Sequence, residues 1–193
     1  MNTSGHGGMD RNQEIRIAKT RLFFENQELF LACLRYDIER LIRRARRMRF
    51  GRRRYKPVVR VNGTSDIPKL AMWMAAEFPE VGFYDYTKHP KPYLRVRPNY
   101  HLTFSHDGPE NVPACMDALA HDVNVAVVFG VRNSEPLPET WNGYQVIDGT
   151  LHDLRFLDPK GVVVGLRPKG RAKKVIGTNP FVVLTQSGCG MAA

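Results

Sequence analysis

Four short β-prone runs, each stopping at a cluster of small or polar residues, constrain this chain more than any other feature. Val58-Val59-Arg60-Val61 runs into Asn62-Gly63-Thr64-Ser65-Asp66, and Val81-Gly82-Phe83-Tyr84 into Asp85-Tyr86-Thr87-Lys88. Tyr100-His101-Leu102-Thr103-Phe104 runs into Ser105-His106-Asp107, and Tyr144-Gln145-Val146-Ile147 into Asp148-Gly149-Thr150. β-Branched and aromatic runs bounded by turn formers read as strands. In a parallel α/β sheet such segments collect their polar tails at the carboxyl edge, where these folds gather ligand-binding groups. The pattern places a site before it says anything about chemistry.

The intervening segments fit that arrangement. Leu70, Met72, Trp73, Ala75, Ala76 and Phe78 give residues 67–78 the apolar side of a helix, and a second helix is expected at about 111–121. Residues 87–98 are too rich in proline and charge to be regular. Asn124-Val125-Ala126-Val127-Val128-Phe129 is almost continuously apolar, as expected of a strand covered on both faces. Runs at 162–166 and 181–184 are expected to close the sheet. At 193 residues the chain is short of the roughly 250 usual for a full eight-stranded (β/α) barrel. The fold class is therefore α/β, with a mostly parallel, right-handed sheet resembling an incomplete (β/α) barrel; an open sheet is equally compatible.

Ahead of the sheet, Ile15, Leu22, Phe23, Phe30, Leu34, Ile38, Leu41 and Ile42 recur at helical spacings, with Asn26 placed to cap a break. The other face becomes intensely basic: Arg40, Arg43, Arg44, Arg46, Arg47 and Arg49, then Arg52, Arg53, Arg54 and Lys56, with Gly51 as a stop signal. The expected organisation is a disordered N-terminus (1–12), a basic helical arm (13–56), an α/β domain (57–185) and a flexible tail (186–193).

With 29 Lys and Arg against 19 Asp and Glu, the net charge is +10, and its concentration in the arm points to anionic partners, nucleic acid foremost. Three widely spaced cysteines, Cys33, Cys115 and Cys189, form no CxxC and argue against a disulfide framework, which suits a reducing, cytoplasmic setting. Cys33 falls on a helical face and is expected in the core. No apolar run approaches the ~20 residues of a membrane span.

Several strand-end residues can carry chemistry. Pro68 suits the first turn of a helix, so Ser65 or Asp66 can cap it, or Asp66 can meet a ligand. Arg60, inside a strand, needs an anionic partner if buried; Asn62, Thr64 and Ser105 are further ligand candidates. Asp85 and Lys88 can form a proton-transfer pair or a structural ion pair. Tyr84 and Tyr86 flank the acid, one of them expected to point into the core. Asp148, His152, Asp153 and Asp158 invite a metal, yet Asp-Gly and Asp-Pro are ordinary turn pairs and no helical His spacing accompanies them; no metal ligand set is assigned. Arg167, Lys169, Arg171, Lys173 and Lys174 form a glycine-interrupted basic loop suited to phosphate, without the GK[ST] ending of a P-loop.

Taken in order, RVNGTSDI (60–67), FYDYTK (83–88), YHLTFS (100–105), NVAVVF (124–129) and VIDGTLHDLRFLDPKGVVVGLRPKGRAKK (146–174) resemble the "gene product 88" domain of bacteriophages and mobile elements. The resemblance covers about residues 20–175 and implies a mobile-element origin and an α/β fold, but no particular activity. Longer members carry a cysteine-rich segment similar to the cluster-binding part of radical-SAM-like partial barrels. Here only the arginine-rich helix precedes Arg60, so the resemblance supplies no iron–sulfur ligands and no cofactor is assigned. The chain is either a shortened member that kept a barrel-edge pocket or a binding module.

The expected function is nucleic-acid binding, to DNA or RNA, in the host cytoplasm. Arg43, Arg44, Arg46, Arg47, Arg52, Arg53 and Arg54, with Arg167, Lys169, Arg171 and Lys173, would contact phosphates. A pocket of Arg60, Asn62, Thr64, Asp66, Asp85, Lys88, Ser105 and Asp148 would take a nucleotide or small ligand. Two alternatives stand beside it: an enzyme using Asp66, Asp85 and Asp148 with Lys88, or a protein that blocks a host factor.

Overall fold

A computed structural model describes residues 10–50 and 53–185. Gly51, Arg52, the N-terminal residues 1–9 and the tail 186–193 with Cys189 lie outside the described residues. Helix α1 (Asp10–Glu25) starts slightly before the helical pattern does, and α2 (Gln27–Arg47) follows a one-residue break. Asn26 makes that break stable, its side chain accepting from the Leu29 N–H at 3.0 Å. The apolar stripe is buried only in α2, through Ile38, Ile42 and Ala45; Ile15 of α1 is exposed, and so is Cys33, which falls off the stripe. The basic run does not end as a helix. Its last part folds back as an antiparallel ribbon of β1 (Arg49–Phe50) and β2 (Arg53–Arg54), with the Arg49 backbone opposite that of Arg54.

The α/β domain then runs β3 (Val58–Val59), α3 (Pro68–Glu77), β4 (Gly82–Thr87), β5 (Tyr100–Ser105), α4 (Val112–Ala120), β6 (Val125–Phe129), β7 (Thr140–Trp141), β8 (Tyr144–Asp148), β9 (Val163–Leu166) and β10 (Val182–Val183). Strand order is β3-β4-β5-β6-β9-β8-β7, parallel throughout except for the β7–β8 hairpin, and the sheet does not close. The two last runs do not pair with each other. β9 inserts between β6 and β8, while β10 lies parallel to β6 at Val128 and Phe129.

β5 holds the same edge of β6 at Val125 and Ala126, so β10 takes that edge over where β5 leaves it. The strands diverge there, and a sheet that splits at its carboxyl edge leaves a gap between the ends of β5 and β10.

Alternation decides which side chains face which layer. Phe83, Asp85 and Thr87 of β4 are buried with Tyr100, Leu102 and Phe104 of β5. Phe83, Tyr100 and Leu102 share a core with Ala71, Met74, Ala75 and Phe78 around α3 and with Ile38 and Ile42 of α2. Trp73, expected inside, is half exposed, because the buried face of α3 is set by Leu70, Ala71, Met74 and Ala75. A second core gathers Phe104, Cys115, Leu119, Val125, Val127, Phe129 and Val163 around α4 and β6. β6 is buried on both faces, as its apolar run implies. Tyr84 and His101, on the other face of the sheet, meet Phe156 from the loop after β8.

Candidate functional site

Because β3, β4, β5 and β8 are parallel members of one sheet, their four polar tails lie at one edge, and a cleft of ≈ 840 Å³ opens there. Its walls come from the ends of five strands: Arg60 after β3, Tyr86 on β4 and Lys88 just past it, Ser105 on β5 and His106 just past it, Gly149 to Asp153 after β8, and Leu166 at the end of β9 with Arg167 to Lys169 after it. Ala126 and Val128 of β6 form the floor, and Phe181, just before β10, lines it as well. This is the gap left where β5 and β10 part along β6.

Arg60 lies just past β3 rather than inside a strand, with its guanidinium 4.7 Å from the centre of the Tyr86 ring. A cation over an aromatic face replaces the expected carboxylate partner. Its Nε is buried without a hydrogen-bond partner. Tyr84 and Tyr86 share one face of β4, since residues two apart in a strand always do; neither enters the α3 core.

Asp66, Asp85 and Asp148 do something other than line the cleft. Asp85 is 1% exposed and accepts from the Asn62 backbone N–H at 2.8 Å, the Asn62 side-chain N–H at 3.0 Å and the Tyr100 hydroxyl at 3.3 Å. Burial pushes its carboxyl up to about 6, against the pull of those donors. Asn62 in turn accepts, through its side-chain oxygen, from the Ile67 N–H at 3.0 Å and the Ser65 hydroxyl at 2.9 Å. It is Asn62, not Ser65 or Asp66, that holds the entry to α3, with Pro68 in the first turn. Asp66 accepts from the Lys88 backbone N–H at 2.7 Å and the Thr87 hydroxyl at 3.1 Å, tying the tail of β3 to the end of β4. The Asp85–Lys88 pair does not form: Asp85 points into the sheet's α3 side, and Lys88, beyond the strand, meets Asp107 at 3.2 Å. Asp148 is held well below the usual carboxylate range, at about 2, by hydrogen bonds from Thr150 and by Arg167 at 2.9 Å.

The loop after β8 is built around Arg155, 4% exposed, whose guanidinium donates to the His152 carbonyl and lies 3.3 Å from Asp158. Gly149 lets this guanidinium and β9 approach, since a Cβ there would lie 2.5 Å from Val164 Cγ1 and 3.0 Å from Arg155 Nη1. His152 pairs with Asp158 at 3.6 Å. Among the described residues, no group of three or more His, Cys, Asp or Glu side chains is arranged to hold a metal ion.

Of the residues singled out in the sequence, Arg60, Lys88, Ser105, Arg167 and Lys169 come together in the cleft. Asn62, Asp66, Asp85 and Asp148 are fasteners behind it, and Thr64 sits against α1 beside Gln13 and Arg16. Lys173 lies on the 3-10 turn Gly170–Val175, as does the backbone of Arg171. The cleft also takes in His106 and Phe181, which nothing in the sequence marks as site residues. The end of β5 was legible, but nothing local announces that a chain segment 75 residues later packs beside it.

The second basic surface is α2. Arg40, Arg43, Arg44, Arg46 and Arg47 are all exposed, on the side away from Ile38, Ile42 and Ala45. Arg43 pairs with Glu39 at 3.5 Å and Arg46 approaches Glu80 at 4.0 Å; no acid among the described residues pairs with Arg40, Arg44 or Arg47.

Fold and site together define a mostly parallel, unclosed α/β protein with an N-terminal helix pair and a cation-lined cleft at its strand carboxyl edge. The family model described as Gene product 88 matches residues 2–179, and the chain belongs to that family. No curated protein and no solved structure matches it. No described helix is long and apolar enough to cross a membrane.

Proposed function

We propose that this protein binds nucleic acid through the arginine face of α2, with the cleft as a separate ligand pocket. The observation that carries the reading is the exposure of five arginines on one helix face, of which Arg40, Arg44 and Arg47 have no acidic partner among the described residues. A helix anchored by one face and cationic on the other presents charges to a phosphate backbone at little conformational cost. The family points to a phage or mobile-element protein, and the free thiols of Cys33 and Cys115 suit a host cytoplasm. Consecutive parallel winding of β3, β4, β5 and β6, with a cleft at their carboxyl ends, supports the comparison with a partial barrel.

The test is binding to labelled single- and double-stranded DNA and RNA across a salt series. Affinity is expected to fall steeply with salt. Replacing Arg43, Arg44, Arg46 and Arg47 by Gln is expected to flatten the log–log slope by up to ~4, at roughly 0.9 per phosphate contact. Absence of binding at low salt, or an unchanged slope in that variant, overturns the reading. A protein partner that co-purifies after nuclease treatment would then favour a host-factor blocker.

A further inference from the structure

Three buried polar nitrogens without a hydrogen-bond partner belong to residues lining the same cleft: Arg60 Nε, Arg167 Nε and His106 Nδ1. Buried polar atoms are satisfied in the great majority of proteins, so such a convergence marks groups awaiting a ligand. His106 is 3% exposed, held edge-on against Trp141 with ring centres 5.5 Å apart. Four cations line the cleft (Arg60, Lys88, Arg167 and Lys169) against one carboxylate, Asp153. Lys88 and Arg167 already have acids, at 3.2 Å and 2.9 Å; Arg60 and Lys169 have none among the described residues. The cleft lining therefore carries a net positive charge.

We propose that the cleft binds the phosphate monoester of a nucleotide, with Arg60, Arg167 and Lys169 on the phosphate and His106 on a sugar hydroxyl. Guanidinium groups donate in a planar fork that matches phosphate oxygens. A sugar hydroxyl can donate to or accept from the unpartnered Nδ1 of His106, whose charged form burial disfavours. Phe181 and Leu166 supply apolar surface for a base. A cleft of ≈ 840 Å³ accommodates a mononucleotide. The same phosphate can come from a free mononucleotide or from a phosphorylated strand end. This site stands independently of the arginine face of α2.

The experiment is calorimetric titration of the full chain with inorganic phosphate, adenosine, adenosine 5′-monophosphate, and a short oligonucleotide with and without a 5′-phosphate. Adenosine 5′-monophosphate is expected to bind and adenosine not to. Arg60→Met and the exposed Lys169→Met are each expected to weaken binding roughly tenfold or more, with folding checked by circular dichroism. His106→Phe is expected to weaken the nucleotide and leave inorganic phosphate unchanged. A preference for the 5′-phosphorylated oligonucleotide over the mononucleotide assigns the source to strand ends; the reverse assigns it to free nucleotide. No binding of any phosphate probe, equal binding of adenosine, or full affinity in both Arg60→Met and Lys169→Met overturns the proposal. The Gln variant of α2 is expected to bind adenosine 5′-monophosphate normally, so failure of the arm and failure of the cleft read out separately.

Discussion

Asp85 shows how a residue that looks catalytic in sequence becomes a fastener in the fold. Its two oxygens accept from three donors, and removing them would leave the Asn62 backbone N–H and the Tyr100 hydroxyl unpaired in the interior and the Asn62 side-chain amide with only the Ile67 carbonyl. Asp85→Ala is expected to cost about 2–4 kcal/mol by chemical denaturation. Its titration has a definite sign. With the carboxyl raised to about 6 in the folded chain, it holds a proton that the unfolded chain has already released. Its contribution to stability is therefore greatest below the unfolded value of 3.8 and is lost as pH rises through 6, on the order of 3 kcal/mol in all. The wild-type stability curve minus that of Asp85→Asn should fall between those pH values. A difference that rises instead would mean that the donors from Asn62 and Tyr100 outweigh burial.

At the scale of elements, two contacts decide whether segments meet. Asn26 caps α2 while α1 abuts it, and Asn26→Ala is expected to cost about 1 kcal/mol in thermal unfolding. Gly149 governs the approach of the β8 tail to β9. Gly149→Ala would set a methyl 2.5 Å from Val164 Cγ1 and 2.8 Å from Leu166 Cδ2, and backbone shifts of that kind cost about 1–3 kcal/mol. Since Gly149 and Leu166 both line the cleft, the same variant is expected to weaken nucleotide binding, read in the same titration. The strands, their polar ends and the α2 stripe were legible because period-two and period-3.6 patterns are local. The ribbon at 49–54 was not, because a run of arginines carries no period.

For the whole molecule, the two cores meet along β5, the seam where Tyr100 and Leu102 belong to the α3 core and Phe104 to the α4 core. Cys115 lies beneath that seam, fully buried, and burial pushes its thiol up to about 12. A thiolate is the reactive form, so Cys115 is expected to resist alkylation in the native protein and to react only on unfolding, whereas exposed Cys33 should react at once. Mass spectrometry of peptides after timed alkylation at increasing urea checks this. Labelling of Cys115 should track the loss of tertiary structure; earlier labelling would mean the α4 core opens by itself.

What the sequence alone determined is the strands β3 to β6 and β8 to β10, the mostly parallel character of their sheet and the edge that carries the polar tails, because each rests on side-chain periodicity and on turn residues within a few positions. It also placed Arg60, Lys88 and Ser105 at one rim, since parallel strands must end together, whereas Arg167 and Lys169 read as a separate phosphate-binding loop and joined that rim only in the structure. Only the tertiary structure decided which polar residues face the cleft and which lock it from behind. Asp85 and Lys88 sit three residues apart, yet one is enclosed under α3 and the other is at the rim, because alternation turns on register and not on proximity. The tertiary structure likewise brought Phe181 beside His106, through a pairing of β10 with β6 that no local pattern encodes.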